Sequence, residues 1–460
     1  MDMLFPGSFR DPAGYLFVRQ GILYRQINNG YKEHYQKLID SGLYKGLVKK
    51  GWLVAHEETE SSLSLDGQAY KVIRPEKLDV ISYPYEWSFS QLRDAALLTL
   101  DIQKMALERG LSLKDASAYN IQFYQGKPIF IDTLSFETLH EGKPWIAYRQ
   151  FCQHFLAPLA LMAKTDISLN QLMANNIDGI PLPLASKLLP WKTWFNLSIG
   201  VHIHLHARAQ AKNANKSVAR QVAQKQFSRH SFLALLESLR SVIKGLHWHA
   251  ENTEWFDYYD SNNNYQNNAM ASKDAIVDAF LQKVPVSLTW DLGANTGRFS
   301  RIAARYSKTV CAWDIDPACV ELNYLAGKND KEKKVLPLLL NLANPSPAIG
   351  WANEERMSLL ERGPADMVLA LGLIHHLAIA NNVPLEYIAA FLARAGNYLL
   401  IEFVPKEDSQ VRKLLQNRED IFSAYTEENF EQVFSQYFCL LEKQAIPDSL
   451  RTLYLYKSNK

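Results

Sequence analysis

Trp290-Asp291-Leu292-Gly293-Ala294-Asn295-Thr296-Gly297-Arg298-Phe299-Ser300 runs from an apolar strand through a glycine-rich turn into an amphipathic helix. In open α/β sheets, ligands lie outside the carboxyl ends of the strands, and Leu292 closes the first such strand of the C-terminal region. Gly293 permits a tight turn and a close backbone approach. The helix start near Thr296 and Gly297 offers free N–H groups and a positive dipole to a carboxylate. Asp291 is placed to contact a ligand's ammonium group. Asp314 follows at the end of the next apolar run, Val310-Cys311-Ala312-Trp313-Asp314-Ile315-Asp316, where a carboxylate accepts hydrogen bonds from both ribose hydroxyls of a nucleoside. Asp316 is the neighbouring alternative.

Around this turn, short apolar runs at 287–292, 309–314, 334–340, 366–371 and 398–403 alternate with helical patterns, and runs at 438–442 and 451–456 complete the set. That alternation predicts an α/β fold with a largely parallel sheet covered on both faces. Three segments emerge along the chain: a mixed α+β region over 1–165, a helical connector over 166–250, and the α/β domain over 251–460. A polar stretch from Tyr258 to Asn268 leads into the last of these.

Dinucleotide binding uses a related architecture, but Asn295 stands where its middle glycine would be and would crowd the approach to a pyrophosphate. Asp-Leu-Gly-Ala-Asn-Thr-Gly at 291–297 instead resembles the first motif of class I S-adenosylmethionine (SAM) dependent methyltransferases, and the elements over about 255–457 keep step with that family. The resemblance implies a Rossmann-like, seven-stranded methyltransferase domain and SAM as cofactor, held by Asp291, Gly293, Asn295, Gly297 and Asp314. It also implies that residues after the third strand bracket the adenine. Asn341-Leu342 stand there, with an amide in place of the usual acid.

After the fourth strand comes Ala370-Leu371-Gly372-Leu373-Ile374-His375-His376-Leu377, which in this family faces donor and acceptor. Methyl transfer is an in-line displacement, so the protein must align the nucleophile and, where it is protonated, take its proton. His375 and His376 titrate in a suitable range. In an extended segment neighbours point to opposite faces, so one of the two is expected to reach the cavity. Glu402, closing the fifth strand, is a second polar candidate. The site lacks the Asn/Asp-Pro-Pro-aromatic pattern of exocyclic base amino methylases and a Pro-Cys nucleophile, which disfavours nucleobase acceptors. The acceptor, unidentified, is a hydroxyl, carboxylate, phosphate or amine on a small molecule or glycan.

In the N-terminal half, Gln125-Gly126 is expected to join two short strands as a hairpin, bringing Asn120 beside Asp132, a pair of oxygen ligands suited to Mg²⁺. Asp115 and Asn120 have the Asp-x4-Asn spacing of the protein-kinase catalytic loop, and Asp132 resembles its metal-binding aspartate. The likeness to a kinase-like C-lobe covers about residues 85–165. Its motifs are degraded: Leu113-Lys114 replaces His-Arg, Thr133-Leu134 replaces Phe-Gly, and Lys71 is the candidate phosphate-binding lysine. Mg-ATP is the cofactor this resemblance implies. As a whole the chain resembles bacterial methyltransferases associated with nodulation or cell-surface glycans, and is similar to bifunctional kinase–methyltransferases that terminate surface polysaccharides, with the domain order reversed. The alternatives to plain methyl transfer are a bifunctional kinase–methyltransferase acting on a cell-surface glycan and a non-catalytic SAM- and nucleotide-binding scaffold.

With 47% hydrophobic and 21% charged residues over 460 positions, the composition supplies packed cores and leaves little for long disorder. The four cysteines, Cys152, Cys311, Cys319 and Cys439, show no Cys-x-x-Cys pairing, which argues for a reducing, cytoplasmic setting. Net charge is only +2, yet no acidic residue occurs between Asp178 and Glu237. There Arg208, Lys212, Lys216 and Arg220 fall four apart, so a helix would carry one basic face able to meet an anionic surface through residues 208–229. His202, His204 and His206 form a His-x-His-x-His run with no nearby Cys, Asp or Glu to complete a metal site, and packed or surface histidines are the better expectation.

Overall fold

The computed structural model describes residues 3–213, 227–250, 267–416 and 418–460. The chain divides into two compact units, residues 1–249 with 349–356, and residues 250–348 with 357–460.

The first unit opens with a five-stranded antiparallel sheet of order β1-β2-β3-β5-β4. Its strands are β1 (Met3–Leu4), β2 (Gly14–Arg19), β3 (Ile22–Asn28), β4 (His56–Thr59) and β5 (Ala69–Pro75), with helices α1 (Lys32–Asp40) and α2 (Leu43–Lys49) between β3 and β4. A long helix follows, α3 (Phe89–Glu108), begun by a capping box in which Ser88 and Gln91 exchange side-chain and backbone hydrogen bonds. Two small ladders come next: β6 (Leu111–Leu113) with β9 (Phe136–Thr138), and β7 (Ile121–Tyr124) with β8 (Lys127–Phe130). The second is the expected hairpin. Gln125 (φ 49°) and Gly126 (φ 73°) both take the left-handed conformation that a two-residue hairpin turn requires.

The helices of the 166–250 segment also fall within this unit. Its α4 (Leu182–Leu188), α5 (Leu197–Ile199), a π-helical turn over Gly200–Leu205 and α6 (His206–Asn213) form one subdomain, and α7 (Arg229–Gly245) packs on α3. The physical reason is apolar burial: Phe232, Leu236, Leu239 and Ile243 recur at helical spacing and lie inside, with Phe232 beside Trp145. Arg208 is described, whereas Lys216 and Arg220 of the basic series, and most of the polar stretch from Tyr258, lie outside the described residues.

The second unit is built on a seven-stranded sheet of order β12-β11-β10-β13-β14-β16-β15. The strands are β10 (Leu288–Leu292), β11 (Thr309–Asp314), β12 (Val335–Leu339), β13 (Ala365–Ala370), β14 (Gly396–Phe403), β15 (Phe438–Ala445) and β16 (Thr452–Ser458). The first five pair in parallel; β16 runs antiparallel between β14 and β15. This is the seven-stranded, largely parallel α/β sheet expected from the sequence. The strands read as near-continuous apolar runs because helices cover both faces. On one face α8 (Asn267–Leu281) contributes Ile276, Val277, Phe280 and Leu281 to a core with Val310, Ala312, Leu369, Leu400 and Leu455. Strand order reverses between β10 and β13, and the carboxyl ends flanking that point carry the candidate site. No helix among the described residues is long and apolar enough to cross a membrane.

Candidate active site

β10 ends at Leu292, and the chain folds back at once: the Gly293 and Ala294 N–H groups both donate to the Trp313 carbonyl of β11 at 2.9 Å. Three left-handed residues then alternate through the turn, Gly293 (φ 77°), Asn295 (φ 49°) and Gly297 (φ 84°). A Cβ on Gly293 would meet Leu373 Cδ1 at 3.4 Å, so the bare backbone there faces the loop after β13. One on Gly297 would sit on the Asn323 carboxamide. Asn295 therefore replaces a glycine in a conformation that asparagine tolerates better than most residues.

Asp314 anchors the turn from the neighbouring strand. Its Oδ2 accepts from the Asn295 N–H at 2.7 Å and its Oδ1 from the Asp316 N–H at 2.8 Å. The Ile315 N–H is a third backbone donor to this carboxylate, which still keeps acceptor capacity. Asp316 is spent locally, capping the helix over Pro317–Asp330 by accepting from the Ala318 N–H. Asp291 lies deeper, 2% exposed, and accepts from the Ser300 hydroxyl at 2.6 Å. Burial raises both carboxyls: Asp291 to about 7, against the pull of Ser300, and Asp314 to about 6. Asn341 is exposed and its Oδ1 accepts from the Ala343 N–H, forming a small turn after β12, with Leu342 half-buried beside it.

His375 and His376 do not lie in an extended segment, which corrects the expectation that they point to opposite faces. His375 has helical dihedrals (φ −67°, ψ −29°) and precedes a π-helical turn over His376–Ala380. The two rings therefore pack on each other with centroids 4.1 Å apart. His375 is 1% exposed and its Nδ1 is buried without a hydrogen-bond partner among the described residues. Burial, followed by the adjoining His376 ring and the Arg451 and Lys273 cations, holds its pKa well below the usual value; burial and Arg451 lower His376 to about 4. Both imidazoles are neutral at pH 7.

Glu402, wholly buried at the end of β14, is not a free carboxylate. Its Oε2 accepts from Lys273 Nζ at 2.7 Å and its Oε1 lies 3.7 Å from Arg451, which also binds Asp408 at 2.7 Å. Gly372, after β13, would place a Cβ 3.6 Å from Glu402 Oε2, so this charge chain runs beside the histidines. Lys273, Arg451 and Asp408 were not legible as site residues in the sequence. Arg451 is separated by 49 positions from Glu402 and meets it only because β14 and β16 pair, Phe403 opposite Thr452.

The N-terminal candidates also meet. Asn120 donates to the Ser135 hydroxyl at 3.2 Å, Ser135 donates to Asp132 Oδ2 at 2.5 Å, and Asn120 hydrogen-bonds Asp115. Asp115 further accepts from the Ser117 N–H and from Gln150, and burial followed by the Asp132 charge raises its pKa. The cation at Asp132 is Arg25 of β3, at 2.7 Å, which also reaches Asp11 at 3.1 Å. Lys71 lies elsewhere, on β5, paired with Glu58 at 2.6 Å. Among the described residues no group of three or more His, Cys, Asp or Glu side chains is arranged to hold a metal. In the histidine run, His204 lies between the Ser186 and Thr193 hydroxyls, 2.8 Å from each, and stacks on Trp194. His202 lies between Tyr148 and Ser238.

No protein-family model matches the chain. Along 459 residues it is 36% identical to nodulation protein NoeA of Rhizobium meliloti (strain 1021), an alignment covering 99% of this chain and 96% of that protein. The chain belongs to the NoeA family. Among solved structures, the N-methyltransferase NodS from Bradyrhizobium japonicum WM9 with S-adenosyl-L-homocysteine is 10% identical, aligned over 46% of this chain and 95% of that one, with a TM-score of 0.33. Magnesium protoporphyrin IX methyltransferase (ChlM) from Synechocystis PCC 6803 with bound SAM is 17% identical over 45% of this chain and 93% of that one, TM-score 0.30. The bifunctional kinase–methyltransferase WbdD is 14% identical over 44% and 42%, TM-score 0.29.

Proposed function

We propose that this NoeA-family chain is a SAM-dependent methyltransferase whose donor site is the Gly293–Gly297 turn. The observation that carries the reading is the turn itself: left-handed backbone without side chains at Gly293, at the carboxyl end of β10, with Asp314 closing the adjacent strand. The residues present suit SAM. Asp291 offers a carboxylate to an ammonium group, Asp314 retains acceptor capacity for ribose hydroxyls, and the Gly293 backbone leaves room that any side chain would fill. When bound, SAM supplies an electrophilic methyl on sulfur. The chain's own part is to exclude water and align the acceptor.

Neutral His375 and His376, with pKa values held low by burial and nearby cations, are weak bases at pH 7. This favours an acceptor that is nucleophilic without losing a proton beforehand, and catalysis that rests mainly on alignment. The acceptor class remains a hydroxyl, carboxylate, phosphate or amine on a small molecule or glycan. Titration calorimetry with SAM on the wild type and on Gly293→Arg tests the site, and equal affinities would overturn it. Labelled products formed in a cell extract from methyl-labelled SAM identify the acceptor; a chain that binds SAM yet labels nothing would be a scaffold.

A second reading concerns the N-terminal unit. The convergence of Asp115, Asn120 and Asp132, behind a five-stranded sheet and the long α3 helix, favours a kinase-like nucleotide site in which Arg25 takes the cationic place opposite Asp132. Because Arg25 and Ser135 already engage the Asp132 carboxylate, Mg²⁺ must displace one of them to enter. Mg-dependent ATP binding lost in Asp132→Asn, without ATP turnover by the wild type, is the result a pseudokinase gives. No ATP binding at all would end the kinase-like reading.

A further inference from the structure

The helical subdomain of the first unit turns a set of large apolar side chains outward. Leu188, Trp191, Phe195, Leu197, Val201 and Leu205 are exposed, Trp191 by 68%, Phe195 by 80% and Leu197 by 81%. Isolated exposed apolar residues are ordinary, but these all fall between positions 188 and 205 of one helical subdomain. The Trp191 and Phe195 rings meet edge to face with centroids 5.7 Å apart. Leu197, Val201 and Leu205 follow four residues apart along one continuous helical run, forming a single row.

The orientation is fixed from the other side. Ile199, His202, Ile203 and His204 of the same run are buried, and His204 is held between Ser186 and Thr193 while its ring stacks on Trp194. The outward row therefore cannot roll inward without breaking these hydrogen bonds. Cations rim it. Arg208 lies over the Trp194 ring at 4.1 Å, and Lys187 and Lys192, next in sequence to Leu188 and Trp191, are exposed. No Asp or Glu occurs from 179 to 236 to neutralise them.

We propose that this face docks on the surface of an anionic phospholipid bilayer. Trp, Phe and Leu on one side with Lys and Arg at the margin, and no Asp or Glu within the segment itself, is the side-chain chemistry of a segment lying in the plane of the interface. The aromatic and aliphatic groups enter the headgroup boundary while the cations remain at the level of the lipid phosphates. A second copy of the chain is the poorer occupant, since pairing this segment with itself brings Lys187, Lys192 and Arg208 of both copies together without a carboxylate of the segment to match them. A nucleic acid satisfies the cations but leaves the aliphatic row in water.

The test is co-sedimentation of the full-length chain with vesicles of phosphatidylcholine alone or mixed with phosphatidylglycerol, at low and high salt. The expected result is binding to the mixed vesicles, weakened by salt and at least about tenfold above that to phosphatidylcholine alone. The triple variant Trp191→Ser/Phe195→Ser/Leu197→Ser is expected to lose at least about tenfold of that binding, and Arg208→Gln a smaller share. These side chains are exposed, so unchanged circular dichroism and SAM affinity confirm that the variants fold. A wild type that stays in the supernatant, or a folded triple variant that binds as well as the wild type, overturns the proposal. So does a dimer, seen by sedimentation velocity, that the triple variant dissociates while neither protein binds vesicles.

Discussion

Lys273 Nζ donates to Glu402 Oε2 at 2.7 Å with the two side chains 4% and 0% exposed. An ion pair so buried gives little net stability over an apolar pair, but removing one member strands the other charge. Lys273→Met is therefore expected to cost about 3 kcal/mol in urea unfolding of the C-terminal unit, somewhat relieved by Arg451. The double variant with Glu402→Leu should recover part of that loss. A single variant as stable as the wild type would show that Glu402 does not depend on Lys273.

Proton linkage at the donor site has a defined sign. Folding raises Asp291 to about 7 and Asp314 to about 6 from 3.8, so the native protein holds the extra protons. The stability they contribute is present below about pH 4 and declines as pH rises through their folded values. A ligand ammonium beside Asp291 favours the ionised carboxylate. SAM affinity should thus rise about fivefold between pH 6 and 7.5, with proton release on binding. Calorimetry in buffers of different ionisation enthalpy measures both, and a flat profile would remove Asp291 from the ligand contact.

Gly297 combines a left-handed backbone with a neighbour that fills the space of a Cβ, the Asn323 side chain. Asn323 also receives the Arg301 guanidinium at 2.9 Å. Gly297→Ala must strain the backbone and displace that contact, for an expected loss of about 2 kcal/mol. Gly293→Ala has only the backbone strain, its nearest neighbour being 3.4 Å away, and should lose less stability. Chemical denaturation of the two variants gives the order directly.

Both ring nitrogens of His204 face protein hydroxyls, so His204→Leu removes the Ser186 bond and one of the two made by Thr193, whose hydroxyl keeps the Pro190 carbonyl. The expected cost is about 2 kcal/mol. Chelators should leave the melting temperature of the wild type unchanged. A chelator-sensitive transition would restore the metal reading of this run.

Much of the second unit was legible because its strands are buried on both faces and read as apolar runs. The runs at 309–314 and 398–403 fall within the strands Thr309–Asp314 and Gly396–Phe403. The turn was legible because only Gly-rich sequence tolerates that backbone. In the first unit β4, His-Glu-Glu-Thr, went unread because an edge strand of polar residues has no apolar alternation. The charge partners were invisible for a different reason. Arg25 with Asp132, and Lys273 with Glu402, are joined by topology across more than a hundred positions, and local spacing carries no trace of such a meeting.

Residues 349–356 belong to the first unit although the chain reaches them only after β12 of the second. There Arg10 finds Glu355 at 2.8 Å and the Arg356 guanidinium lies 4.6 Å from the Tyr119 ring centroid. Synthesis is vectorial, and domains ordinarily close as they leave the ribosome. This one cannot close completely: a nascent chain halted at residue 249 holds Arg10 and Tyr119 but not Glu355 and Arg356. The N-terminal unit is completed only once residue 356 has emerged, so its final assembly waits on translation well into the second unit.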